Sequence, residues 1–204
     1  MKQLLIATNN RGKIKELQDL LKDTGLELVI PAQIGLDLDV IEDGATYAEN
    51  AAKKAIAFAQ ASGLVSLADD SGLEVDALDG APGLYSARYG SSAGQVVKLS
   101  DAERRLLLIQ NLQDKPHPWA ARFHATIAVA LPNGATHLAE GFREGEIIAE
   151  ERGTGGFGYD PIFLLPELGK TMAELPIEEK NHLSHRARAV MNAKPILHQL
   201  FDSR

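Results

Sequence analysis

The segment Gly153-Thr154-Gly155-Gly156-Phe157-Gly158-Tyr159-Asp160-Pro161 sets an aromatic ring and a carboxylate into a backbone almost stripped of side chains. Glycine admits positive φ and lets main-chain N–H groups approach a ligand closely. A flat, polar ligand such as a nucleobase fits these properties, and so does an ordinary Gly-rich hairpin with Phe157 in the core. A second cluster, Thr8-Asn9-Asn10-Arg11-Gly12-Lys13, lies between an apolar run and a helical pattern. Free N–H groups and the helix dipole there favour an anion, and Lys13 adds a full charge. The spacing is not that of a Walker loop, and an Asn-capped helix with a solvated Lys is the plainer alternative.

Ala68-Asp69-Asp70-Ser71-Gly72 follows a buried run and puts two adjacent carboxylates where the chain is expected to leave a sheet. Adjacent side chains diverge in extended chain, so Asp69 and Asp70 would have different tasks, one facing a metal and the other a water or ribose. An acidic turn is the competing reading. Glu42 and Asp43 are further candidate ligands, or solvated loop charges. Lys180, His185 and Arg186 precede or open the last helix. Lys180 could meet phosphate, and His185 with Arg186 could donate to carbonyl oxygens of a base, which favours a 6-oxo purine over adenine. Lys53, near the start of the second helix, could reach phosphate or simply lie on its polar face.

The elements that must carry these groups are legible in outline. Gln3 to Ala7 reads as a strand, and Ile14, Leu17, Leu20 and Leu21 as a helix stripe ending before Gly25. A short strand is expected at Val29 and Ile30. Thr46 and Glu49 form a capping-box pattern, and Ala51, Ala52, Ala55, Ile56 and Ala59 form the stripe of a helix that Gly63 ends. Leu64 to Ala68 is expected as a buried strand, and residues 72 to 94, with Gly80, Pro82, Gly83, Gly90 and Gly94, as an irregular lid or connection. Ser100 and Glu103 signal a capped helix to about Leu112. Arg122 to Leu131 and Ala135 to Glu140 read as a hairpin, Glu146 to Ala149 as a separate strand, and Ser184 as the cap of a final helix that Pro195 must kink or restart. The pattern predicts one α/β domain over residues 1–204 with a mixed sheet and two lobes around a cleft.

Composition narrows the functions. The chain of 204 residues is long enough for a self-sufficient core and has no cysteine, which excludes disulfides, thiolate metal sites and a cysteine nucleophile. A formal net charge of -7 disfavours a general nucleic-acid surface, while a small anion needs only local cations, with a divalent metal joining its phosphates to carboxylates. No apolar run reaches membrane-spanning length, and the chain reads as soluble and cytoplasmic.

In order and combination these segments, with Gly80-Ala81-Pro82-Gly83 and Ser86-Ala87-Arg88-Tyr89, resemble the inosine triphosphate pyrophosphatase family over nearly the whole chain. The resemblance implies an elongated, two-lobed α/β fold with a central substrate cleft, a homodimer, and Mg²⁺-dependent hydrolysis of deaminated purine nucleoside triphosphates to monophosphate and pyrophosphate. It implies that Thr8, Asn9, Asn10, Arg11, Gly12 and Lys13 hold phosphate, that Asp69 binds metal or acts as base, and that Asp70 and Ser71 contact substrate. Phe157, Gly158, Tyr159 and Asp160 would stack on and position the base, Lys180 would contact substrate, His185 and Arg186 would read the purine oxygen, and Glu42 would be a second metal ligand. A pyrophosphatase for pyrimidine or methylated nucleotides and a nucleotide sensor that does not cleave are the alternatives.

Overall fold

The structure is a computed structural model and describes residues 2–91 and 99–202. Its seven strands are β1 (Gln3–Ile6), β2 (Glu27–Val29), β3 (Val65–Val75), β4 (Trp119–Ala130), β5 (Thr136–Ile147), β6 (Phe163–Leu165) and β7 (Lys170–Thr171). Five α-helices among the described residues are α1 (Arg11–Leu21), α2 (Tyr47–Ser62), α3 (Asp101–Leu112), α4 (Ile177–Leu183) and α5 (His185–Asp202). The strands form one open sheet in the order β2-β1-β3-β4-β5-β6-β7. β1 pairs in parallel with β2 and β3, whereas β6 pairs antiparallel with β5 and β7, so the sheet is mixed and the class α/β.

Within the described residues the chain divides into two compact units, Met1–Asp70 with Ala125–Gly141 and Ser184–Arg204, and Ser71–His124 with Phe142–Leu183. In the first unit both sheet faces are covered. Leu4, Ile6, Val65 and Leu67 pack with Leu17 and Leu21 of α1 and with Val190 and Leu197 of α5. Leu5, Ala7 and Ala68 pack on the other face with Ala51, Ala55, Phe58 and Ala59 of α2. Burial on both faces is why β1 reads as an unbroken apolar run rather than an alternating one. In the second unit Leu73, Val75, Trp119, Phe123, Ile147, Phe163 and Leu165 form the core with Leu108 and Leu112 of α3.

The helix starts follow their caps. The Asn10 side chain accepts from the Lys13 N–H, Thr46 accepts from the Glu49 N–H, and Ser100 with Glu103 forms a complete capping box. Gly63 ends α2 at φ 72°, donating to the Ala59 carbonyl.

Three expectations need correction. β3 does not end at Ala68 but runs through both aspartates to Val75, so residues 72–75 are strand rather than lid; Gly94 lies outside the described residues. The segment from Glu146 is not a separate strand, because β5 is continuous from Thr136 to Ile147. Gly141 and Gly145 inside it mark close approach and not a break: a Cβ at Gly141 would strike the backbone of α5 at His185 and Ala189, and one at Gly145 would lie 2.5 Å from the Leu164 carbonyl oxygen. Pro195 neither ends nor restarts α5. Both Pro195 and Met191, whose carbonyl loses its helical partner, are exposed to water, while Ala193, Leu197 and Phe201 anchor the other face.

Candidate active site

Continuation of β3 decides how the two aspartates are used. Val65 and Leu67 face α1 and α5, so Asp69 faces them too. Its Oδ2 lies 2.7 Å from Lys13 Nζ and 3.2 Å from Arg186 Nη2, and Arg186 Nη1 lies 2.5 Å from Glu16 Oε2. Asp69 is 0% exposed and Arg186 2%. Burial alone would push the Asp69 carboxyl up, but the Arg186, Lys13 and His185 charges outweigh it and hold the group far below the usual carboxylate range. The Arg186 guanidinium is likewise held charged by Asp69 and Glu16 against its burial. Asp69 is therefore held ionised among cations, as the counter-charge of Lys13 and Arg186.

Asp70 shares the opposite face with Ala68 and α2. Burial raises its carboxyl, and the Glu42 and Asp69 charges add to the rise against the pull of Lys13 and Lys54. Glu42 forms an ion pair with Lys54, which is buried. Lys54 Nζ lies 3.2 Å from the Asp69 carbonyl oxygen, and Lys13 Nζ lies 3.2 Å from the same oxygen. Two ammonium groups thus converge on one main-chain acceptor, beside carboxylates of Asp70 and Glu42. Lys13 is paired there with Asp69 and Lys54 with Glu42, and two ammonium groups held side by side are the charge arrangement that suits a polyphosphate.

The loop before α1 completes the first unit's cluster. Thr8 is buried and accepts from the Asn10 N–H at 3.2 Å; Asn9, Asn10 and Arg11 are exposed, and Gly12 and Lys13 half-buried. Lys53 is not part of the cluster. It points to solvent and pairs there with Asp43. Lys54, its neighbour, is buried and belongs to the cluster. His185 and Arg186 open α5, both buried; two nitrogens of the Arg186 guanidinium are engaged by Glu16 and Asp69.

The second unit carries the Gly-rich loop. Asp160 Oδ2 accepts from the Phe157 N–H at 2.8 Å and from Lys180 Nζ at 2.6 Å, both Asp160 and Lys180 being buried. Lys180 Nζ also stands 5.4 Å from the centre of the Phe157 ring. The Tyr159 hydroxyl is not presented to solvent; it donates to the Ser86 carbonyl at 3.0 Å, and burial raises its pKa. Ser86 in turn accepts the Leu73 N–H at 2.8 Å and donates to the Gly83 carbonyl at 2.6 Å. Phe157 is half-buried. Ser71, the first residue of this unit, is half-buried on β3.

Among the described residues no three His, Asp or Glu side chains gather into a metal cage. The Glu42 charge helps to raise the Asp70 carboxyl, and carboxylates are the donor type that a hard cation takes.

Comparison with known proteins agrees with this fold. A dITP/XTP pyrophosphatase of Desulforamulus reducens is 49% identical over 200 residues, 98% of this chain and 97% of that protein. One of Thermus thermophilus is 46% identical over 189 residues, 92% of this chain and 88% of that protein. The solved HAM1 protein of Coxiella burnetii superposes with a TM-score of 0.85 at 39% identity, over 98% of this chain and 100% of that one. The model of the Ham1 family matches residues 4–196, and the chain belongs to that family.

Proposed function

We propose that this chain, as a single catalytic domain, hydrolyses deaminated purine nucleoside triphosphates (ITP, dITP and XTP) to the monophosphate and pyrophosphate. The observation that carries the reading is the convergence of Lys13 and Lys54 on the Asp69 carbonyl beside Asp70 and Glu42, a cationic seat next to a carboxylate pair. The names of the relatives support the same reaction, since they are called dITP/XTP pyrophosphatases.

In this reading Thr8 to Lys13, with Lys54, bind the triphosphate and offset the charge that grows on the leaving pyrophosphate. Asp70, which burial and its acidic neighbours make a better proton acceptor than Asp69, takes the proton of the attacking water. The water oxygen bonds to the α-phosphorus as the bond from that phosphorus to the bridging oxygen breaks, and the electron pair leaves with pyrophosphate. Glu42 would help to hold Mg²⁺, which would supply charge neutralisation on the phosphates. Asp69 and Arg186 hold Lys13 and the middle of β3 in register. Phe157 stacks on the base, the main-chain groups around it and His185 read the purine oxygen, and Asp160 with Lys180 hold Phe157 in place. The reading extends to a homodimer in the cytoplasm, on the strength of the family resemblance; among the described residues no helix is long and apolar enough to cross a membrane.

The test is release of pyrophosphate from ITP, XTP, GTP, ATP and a pyrimidine triphosphate in the presence of Mg²⁺. ITP and XTP are expected to react fastest, and Asp70→Asn to lose roughly 100- to 10,000-fold in kcat. Comparable kcat/KM across the panel would remove the base assignment. Binding of ITP without pyrophosphate release, or full turnover by Asp70→Asn, would remove the mechanism.

A further inference from the structure

Phe157 is carried between Gly156 at φ 71° and Gly158 at φ 61°, two residues with more backbone freedom than any others. Such a ring stays in one place only if the glycines on either side are held from outside. On the Gly156 side, Asp160 accepts the Phe157 N–H and is itself paired with Lys180. The Gly158 side is held by the first turns of α3. Asp101 Oδ2 accepts the Gly158 N–H at 2.8 Å, and Arg105 Nη1 donates to the Gly158 carbonyl at 2.7 Å. The same guanidinium meets Glu151 through Nε and Nη2, at 2.8 and 2.9 Å, so one planar fork ties α3 to both ends of the loop. Asp101 is fixed in turn by an ion pair with Arg104, and the Ser100–Glu103 capping box fixes where α3 begins.

We propose that Asp101 and Arg105 are positioning residues that set the base specificity of the reaction by locking the Gly158 peptide, and with it the Phe157 ring, in a single conformation. The proposal rests on the pyrophosphatase reading above. Neither residue belongs to the phosphate cluster of the first unit, so their effect must appear at the base and not at the phosphates. Base contacts are made in the ground state and the transition state alike, and weakening them raises KM more than it lowers kcat.

The experiment compares Asp101→Ala, Asp101→Asn, Arg105→Ala and Arg105→Lys with wild type, using ITP and GTP as substrates and inorganic triphosphate as a competitive inhibitor. For both Ala variants KM for ITP is expected to rise roughly tenfold, the consequence of about one charge-assisted hydrogen bond, with kcat within about twofold. The ratio of kcat/KM for ITP over GTP should shrink by a similar factor, while the inhibition constant of inorganic triphosphate, which has no base, stays at the wild-type value. Asp101→Asn keeps a carbonyl to accept the Gly158 N–H and should restore most of the ratio. Arg105→Lys keeps the charge but not the fork and should restore little, and it serves in place of Arg105→Ala if that variant does not fold. An unchanged ITP-to-GTP ratio in the folded variants overturns the proposal. So does a parallel rise in the triphosphate inhibition constant, which would mark a general loss of structure. Failure of the wild type to release pyrophosphate from ITP would instead overturn the underlying reading.

Discussion

One step along β3 separates an acid whose pKa is lowered on folding from one whose pKa is raised, and stability and turnover should part company there. Asp69 is held ionised by Arg186 and Lys13, so Asp69→Asn leaves buried cations without their counter-charge and should cost on the order of 3–5 kcal/mol in chemical denaturation. Its pKa is depressed on folding, so its contribution is complete above the ordinary carboxylate range and is lost as pH falls toward its own lower value. Metal-free wild type should therefore keep its full stability advantage over Asp69→Asn from neutral pH down to about pH 5, and begin to lose it only as pH falls through the ordinary carboxylate range, about pH 4, and below. For Asp70 the sign reverses. Its pKa is raised on folding, so the ionised carboxylate opposes folding at neutral pH, and Asp70→Asn should match or exceed wild type in thermal stability while losing activity. Among the lysines, Lys54→Met should raise KM for ITP roughly tenfold, whereas Lys53→Ala should change kcat and KM by less than about twofold, because its pair with Asp43 is solvent-exposed. The residue types of this site were legible in the sequence, but the choice within each adjacent pair was not. Choosing between Asp69 and Asp70 required knowing that the strand continues. For the lysines a signal was present: Lys54 falls on the helical stripe of Ala51, Ala55 and Phe58, and Lys53 falls off it.

Elements that begin with a side-chain cap and end with a left-handed glycine were readable, because both signals act within a few residues. Thr46, Ser100 and Gly63 mark boundaries that the structure keeps. The continuous β5 was read as two strands on either side of Gly141 and Gly145, which are small for the sake of partners distant in sequence. The space at Gly141 is filled by the start of α5, the turn that carries His185 and Arg186. Gly141→Ala should accordingly destabilise the protein by about 1–3 kcal/mol in urea and also reduce kcat/KM, an effect on activity that a substitution at the exposed Gln199 would not produce. Helix α4 and the strands β6 and β7 left no clear pattern in the sequence because seven, three and two residues are too few to show a period.

The fold class followed from alternating apolar runs and helical stripes, while strand order depended on pairings that no local pattern encodes. The net charge of -7 coexists with Lys13, Lys54 and Arg186 gathered in the first unit and with the buried Lys180 in the second, so affinity for an anion is confined to particular places rather than spread over the surface. Binding there must stabilise the folded state as a unit. A non-hydrolysable ITP analogue with Mg²⁺ at about 100 times its Kd should contribute about 2.7 kcal/mol and raise Tm by about 5–10 °C, as read by calorimetry, with a much smaller shift for the ATP analogue at equal concentration. The meeting point of Lys13 and Lys54 is an oxygen of the main chain. No codon change at position 69 can delete that atom, so inherited variation can swap the acid or either amine yet must bend the strand itself to abolish the anchor they share.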